Sequence, residues 1–133
     1  MITWEDRFSM GNPLLDRQHK EFFSKVNEFY DSCVIGVGEA RIEEFVIFME
    51  NHAREHFAAE EAHFADNNYP GLDGHCVEHL SFLEKIAAIK KRLDMGEYEE
   101  DFAMEVARFG SEWLSSHTRT ADWKFVEWIR ERG

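Results

Sequence analysis

An all-α fold, an antiparallel up-down-up-down four-helix bundle with an extended N-terminal arm and a short C-terminal helix, is what this 133-residue sequence predicts. Three observations predict it. Four segments carry apolar residues at helical spacings of three and four. The breaks between them are about two to seven residues long, which forces neighbouring helices to run antiparallel. No internal repeat or low-complexity linker competes with them. The length is that of one domain, 1–133, able to bury one substantial core.

Residues 1–13 lack sustained periodicity and read as an extended arm, anchored by Trp4, Phe8 and Met10 and ending at Asn12-Pro13. From Leu14 a helix begins, with Leu15, His19, Phe22, Val26, Phe29 and Cys33 on one stripe. Gly36-Val-Gly38 closes it. A second helix, from about Ala40 to Asn67, aligns Phe45, Met49, His52, His56, Glu60 and His63. Its stripe turns from apolar to ionisable, and buried ionisable groups demand partners, because each left unpaired costs several kcal/mol. Asn67-Asn-Tyr-Pro-Gly71 breaks the pattern, Pro being unable to continue a helix. The third helix starts near Leu72 or Asp73, with Asp73 as candidate cap, and carries His75, His79, Phe82, Ile86 and Leu93 inward. Lys90, Lys91 and Arg92 suit its C-terminal dipole before Asp94-Met-Gly96 ends it. The fourth begins near Tyr98 and presents Phe102, Val106, Phe109, Trp113 and His117. Trp123, Val126 and Ile129 mark the short final helix.

Composition narrows the function. A net charge of −12 excludes nucleic acid and anionic membrane surfaces as partners, since phosphates would be repelled. No apolar run approaches the roughly 18 residues of a membrane span. The acidic start Met-Ile-Thr-Trp-Glu-Asp is unlike a secretory leader, so a cytoplasmic location is expected. Cys33 and Cys76 lie on or beside apolar stripes and read as buried reduced thiols.

The chemistry resides in the histidines. His56 with Glu60, and His75 with His79, are i, i+4 pairs, about 40° apart on a helical face, so each pair can grip one point. Every helix contributes at least one inward histidine. Clustered neutral imidazoles satisfy one another only partly, whereas a divalent metal uses every ring and neutralises the carboxylates. Nitrogen-rich donors suit Fe, Zn, Cu or Ni and disfavour Mg or Ca. Seven donors are too many for one tetrahedral ion and suit two octahedral ions sharing carboxylates, an arrangement built in bundle cores.

His19 in Asp-Arg-Gln-His-Lys, His56-Phe-Ala-Ala-Glu60-Glu61, Tyr69-Pro70 followed by His75 and His79, and Trp113-Leu-Ser-Ser-His117 with Asp122 together resemble the bacterial hemerythrins. The resemblance spans nearly the whole chain. It implies two iron ions with a bridging oxo or hydroxo group: His75, His79 and His117 on one, His19 and His56 on the other, Glu60 and Asp122 bridging. Three histidines complete one coordination sphere and two leave the other open. O2 is the ligand the family binds there, and NO or small anions are alternatives. Leu114, three residues before His117 on its face, is the expected lining of that pocket, a position ordinary core packing would also fill. The resemblance implies O2 storage, delivery or buffering rather than catalysis. An oxygen or redox sensor, a di-iron peroxidase, oxidase or nitric oxide scavenger, and a zinc-filled structural bundle are the rivals.

His117 and Asp122 are five apart, about 140° on a regular α-helix, so the backbone must distort between them, through a π-type turn or a break, if both face one site. Three positions depart from the family pattern. His52, where an aromatic is common, is one turn before His56, close enough for a hydrogen bond behind the ligands, and reads as hydrogen-bonded or partly exposed. His63, where an aliphatic is common, is about 10 Å beyond His56 and reads as hydrogen-bonded or partly exposed. Gly110, where a bulky aliphatic is usual, admits two readings, close helix packing or a small cavity beside the oxygen pocket.

Overall fold

The computed structural model describes residues 4–132, and residues 1–3 of the expected arm lie outside them. The helices are α1 (Pro13–Val34), α2 (Gly38–Asp66), α3 (Leu72–Met95), α4 (Phe102–His117) and α5 (Trp123–Arg132). A π-helical segment, Thr118–Asp122, joins α4 to α5. The first four form the bundle, with α1 packed on α2 and α4, and α2 on α3. Between α3 and α4 the bulk of Phe82, Phe109 and Trp113 fills the seam. Among the described residues no helix is long and apolar enough to cross a membrane.

The arm is less extended than expected. Asp6–Phe8 form a 3-10 turn. Asp16, in the first turn of α1, then ties the arm down: Ser9 Oγ donates to its Oδ2 at 2.5 Å and the Met10 amide to its Oδ1 at 2.9 Å. Phe8 and Met10 are buried, and Trp4 meets Phe8, Phe23 and His19 at ring distances of 6.0–6.4 Å. Helix α1 starts at Pro13, not after it. Asn12 Oδ1 accepts from the amides of Leu14 and Leu15 at 3.0 and 3.2 Å, and Pro13 occupies the first helical position, where its missing N–H costs nothing.

In the α2–α3 turn Asn68 takes the left-handed conformation (φ 57°). A Cβ on Gly71 would lie 2.7 Å from the Tyr69 ring, so glycine is needed there. Gly71, not Asp73, caps α3, with no side-chain bond. At the far end Gly96, at φ 66°, accepts the left-handed turn that stops α3. Lys90 reaches across to Glu50, 3.1 Å away, rather than serving only its own helix end. Helix α4 starts four residues later than the apolar pattern suggests: Tyr98 precedes it and stays exposed, its ring stacked on the buried Phe102 (5.0 Å, 23°). Cys33 and Cys76 are free and half-buried rather than fully buried.

The apolar interior is divided. A large cluster around Phe22, Val26, Met49, Phe82 and Leu114 fills the bundle. A smaller one, Met10, Leu15, Phe64, Phe125 and Val126, closes one end, where Phe125 of α5 stacks on Phe64 at 4.1 Å. A polar layer separates them.

Candidate metal centre

Antiparallel packing puts the polar layer together. His19 lies early in α1, His56 and Glu60 late in α2, His75 and His79 at the start of α3, and His117 at the end of α4, so all six share one level of the bundle. Asp122 joins them because Thr118–Asp122 is π-helical, the wider turn bringing residues five apart onto one face. Thr120 Oγ1 supports that turn by donating to the Ser116 carbonyl at 2.7 Å. The five histidines, Glu60 and Asp122 are each 0–4 % exposed.

Each carboxylate divides its two oxygens. Glu60 Oε1 contacts His75 Nε2, His79 Nε2 at 3.1 Å and His117 Nε2 at 3.7 Å, while Oε2 faces His56 Nε2 at 3.0 Å and His19 Nε2 at 3.4 Å. Asp122 Oδ1 is 3.1 Å from both His75 Nε2 and His117 Nε2, and Oδ2 is 3.2 Å from His19 Nε2. Two groups of candidate donor atoms result, each within 4.8 Å: Glu60, His75, His79 and His117 in one, His19, His56 and Glu60 in the other.

Protein partners satisfy this layer only in part. Among the described residues, His56 Nε2, Glu60 Oε2 and both Asp122 oxygens are buried and find no directed hydrogen bond, although neighbours approach to about 3 Å. Lone pairs that converge on shared points without meeting N–H donors fit cations held between them. Without cations, protons do part of that work. Burial opposes charge on His19 and His75, yet the Asp122 and Glu60 carboxylates outweigh it and raise both to about 9. Burial and the nearby His19 charge instead drive His56 down to about 4. Burial pushes Glu60 up, but contacts with His117, His19, His56 and His75 hold it well below the usual carboxylate range.

The profile of the family described as the Hemerythrin HHE cation binding domain matches residues 10–129. The chain belongs to the hemerythrin family. Its similar relatives include a bacteriohemerythrin of Pseudomonas aeruginosa strain PAO1, 28% identical over 129 residues, covering 97% of this chain and 82% of the relative. Another, from Clostridium acetobutylicum, is 26% identical and covers 96% and 100%. A myohemerythrin of Theromyzon tessulatum is 27% identical and covers 92% and 88%.

In this hemerythrin the two departing histidines stand outside both donor groups. His63 is half-buried, with Nδ1 3.5 Å from Asn12 Nδ2 and its ring against Phe125. His52 is hydrogen-bonded, its Nε2 meeting the Gln18 carbonyl at 2.9 Å rather than His56, whose ring lies nearly parallel to it at 6.3 Å. Leu114 is buried in the large cluster. At Gly110 an added Cβ would lie 3.4 Å from Met49 Sδ, 3.7 Å from Val26 Cγ2 and 3.8 Å from Phe45 Cζ, ordinary van der Waals contacts, so a methyl group fits against these side chains.

Sequence reasoning assigned no role to the groups behind the rings. Glu61 Oε2 is 2.7 Å from His79 Nδ1, Glu78 Oε1 is 3.3 Å from His117 Nδ1, and Gln18 Oε1 is 2.8 Å from His56 Nδ1. Each is adjacent in sequence to a candidate ligand but serves a ring on another helix, and only the register between helices reveals it. Aromatic faces fix two of the rings further: Phe57 stacks on His79 at 3.8 Å and Trp113 on His117 at 4.4 Å.

Proposed function

We propose that the protein holds two iron ions and binds O2 reversibly, for storage, delivery or buffering of oxygen. One observation carries the reading: both buried carboxylates split their oxygens between a three-histidine and a two-histidine group. His75, His79 and His117 would hold one iron and His19 and His56 the other, with Glu60 and Asp122 offering oxygens to both. Bound there, a pair of ferrous ions supplies the electrons that O2 binding draws on and recovers when it leaves.

The chain's own part is to shape access and charge. With two histidines rather than three, the His19 and His56 side would leave a metal held there room for a further ligand. Leu114, buried in the large apolar cluster three residues before His117, would line that position and keep it dry, which would withhold protons from the bound gas. Five imidazoles with two carboxylates provide less negative charge than carboxylate-rich iron sites, which favours release over further oxidation. This is why binding is the function rather than catalysis.

The test is spectroscopic. The protein is reduced anaerobically with iron, exposed to air, and degassed. A visible charge-transfer band that appears with air and vanishes on degassing supports the reading. Rapid bleaching with substrate turnover assigns an enzyme instead, and failure to take up iron removes the proposal.

A further inference from the structure

The rings of the two donor groups are backed by different chemistry. Behind the three-histidine group stand carboxylates, Glu61 at His79 and Glu78 at His117. Behind His56 stands a neutral amide, with Gln18 Oε1 2.8 Å from Nδ1. An acceptor at Nδ1 fixes the proton there and turns the Nε2 lone pair inward, toward Glu60 and the donor cluster. A carboxylate acceptor also gives the ring more negative character and makes Nε2 a stronger donor, whereas an amide oxygen orients the ring with less of that effect.

Gln18 is itself held. His52 Nε2 donates to its main-chain carbonyl at 2.9 Å, using a lone pair that the helix ladder leaves available. The His52 ring is wedged between Phe48 (5.0 Å, 22°) and the edge of Phe22 (5.3 Å, 81°), and Glu21, half-exposed, lies 3.9 Å from its Nδ1. This gives a role to the histidine that departs from the family pattern. His52 fixes the α1 backbone at Gln18 against α2, and Gln18 returns from α1 to fix His56 on α2.

We propose that His52 and Gln18 form a positioning relay for His56, and that its neutral amide end keeps the metal on the two-histidine side at a higher reduction potential than its neighbour. The inference rests on the two-metal reading above. A higher potential holds that metal in its reduced form between encounters with oxidant, where an open position needs it.

The experiment uses the full chain and two probes, cobalt(II) titrated into metal-free protein and the midpoint potentials of the iron-loaded protein. Gln18→Leu removes the acceptor and weakens one of two cobalt sites by about 10- to 100-fold, with the other unchanged. Gln18→Glu, of the same shape, lowers one midpoint potential and leaves the second in place. His52→Phe keeps the stacking but loses the donor, and weakens the same cobalt site as Gln18→Leu by a smaller factor; His52→Gln, which restores an N–H donor, recovers part of it. Equal weakening of both sites, or wild-type constants and potentials in Gln18→Leu and Gln18→Glu, overturns the relay while leaving the two-metal reading intact. A wild-type chain that binds no second metal ion overturns both.

Discussion

Replacing Gly110 separates close packing from a cavity. The position is buried in the interior of α4, where glycine costs about 1 kcal/mol relative to alanine. An added Cβ would touch Met49 Sδ at 3.4 Å and Val26 and Phe45 at 3.7 and 3.8 Å, ordinary contacts that displace nothing. Gly110→Ala should therefore stabilise by about 1 kcal/mol, raising the melting temperature by about 3–5 °C for a chain of this size. Gly110→Leu must drive three further carbons into the same neighbours and should lose about 1–3 kcal/mol relative to the alanine variant. Neither change should alter metal uptake, because Gly110 is about 10 Å along the helix axis from His117. Thermal denaturation of the two variants with metal titration decides it. A leucine variant as stable as the alanine one, with faster oxygen entry, refutes close packing and establishes open space at this point.

Other consequences are as specific. Metal-free protein should be most stable near pH 6.5. His19 and His75, held protonated by Asp122 and Glu60 against the effect of burial, contribute stability that is complete below their unfolded value of about 6.5 and is lost as pH rises to about 9. On the acid side His56 stays neutral down to about 4 while its unfolded counterpart charges, and Glu60 stays ionised below the usual range, so stability also falls as pH drops. Melting temperatures across this range that are flat, or that rise from pH 6.5 to 9, would contradict the electrostatic account. Phe125→Ala, which removes a fully buried ring stacked on Phe64, should cost about 3–5 kcal/mol in chemical denaturation and loosen α5 enough to weaken metal binding through Asp122. Asp122→Asn should keep the fold, reduce the alkaline loss of stability in metal-free protein, and weaken both metal sites together, since its oxygens face both histidine groups.

The bundle and its candidate site were largely legible in the sequence because their signals are local. An i, i+4 spacing places His56 with Glu60 and His75 with His79 on single faces whatever the rest of the chain does. The five-residue gap from His117 to Asp122 likewise required a distorted backbone, and a π-helical turn is found there. What stayed hidden depends on register between elements. Tyr98 shares the apolar pattern of α4 but lies outside the helix and remains exposed, its ring covering Phe102 from the solvent side. The arm's turn at Asp6–Phe8 carries no periodicity. His52 was placed within reach of His56 by rise per residue alone, whereas its donor points across the helix interface to the Gln18 carbonyl, a partner 34 positions away. The backing of the rings by Gln18, Glu61 and Glu78 escaped for the same reason.

The account turns on two metal ions joined by shared carboxylates, and its most direct test is iron content measured with Mössbauer spectroscopy on protein reconstituted anaerobically and then oxidised. The account predicts two irons per chain in unlike environments, one richer in imidazole, whose spins are coupled across the bridge between them. One iron per chain, or two irons with independent spins, would contradict it.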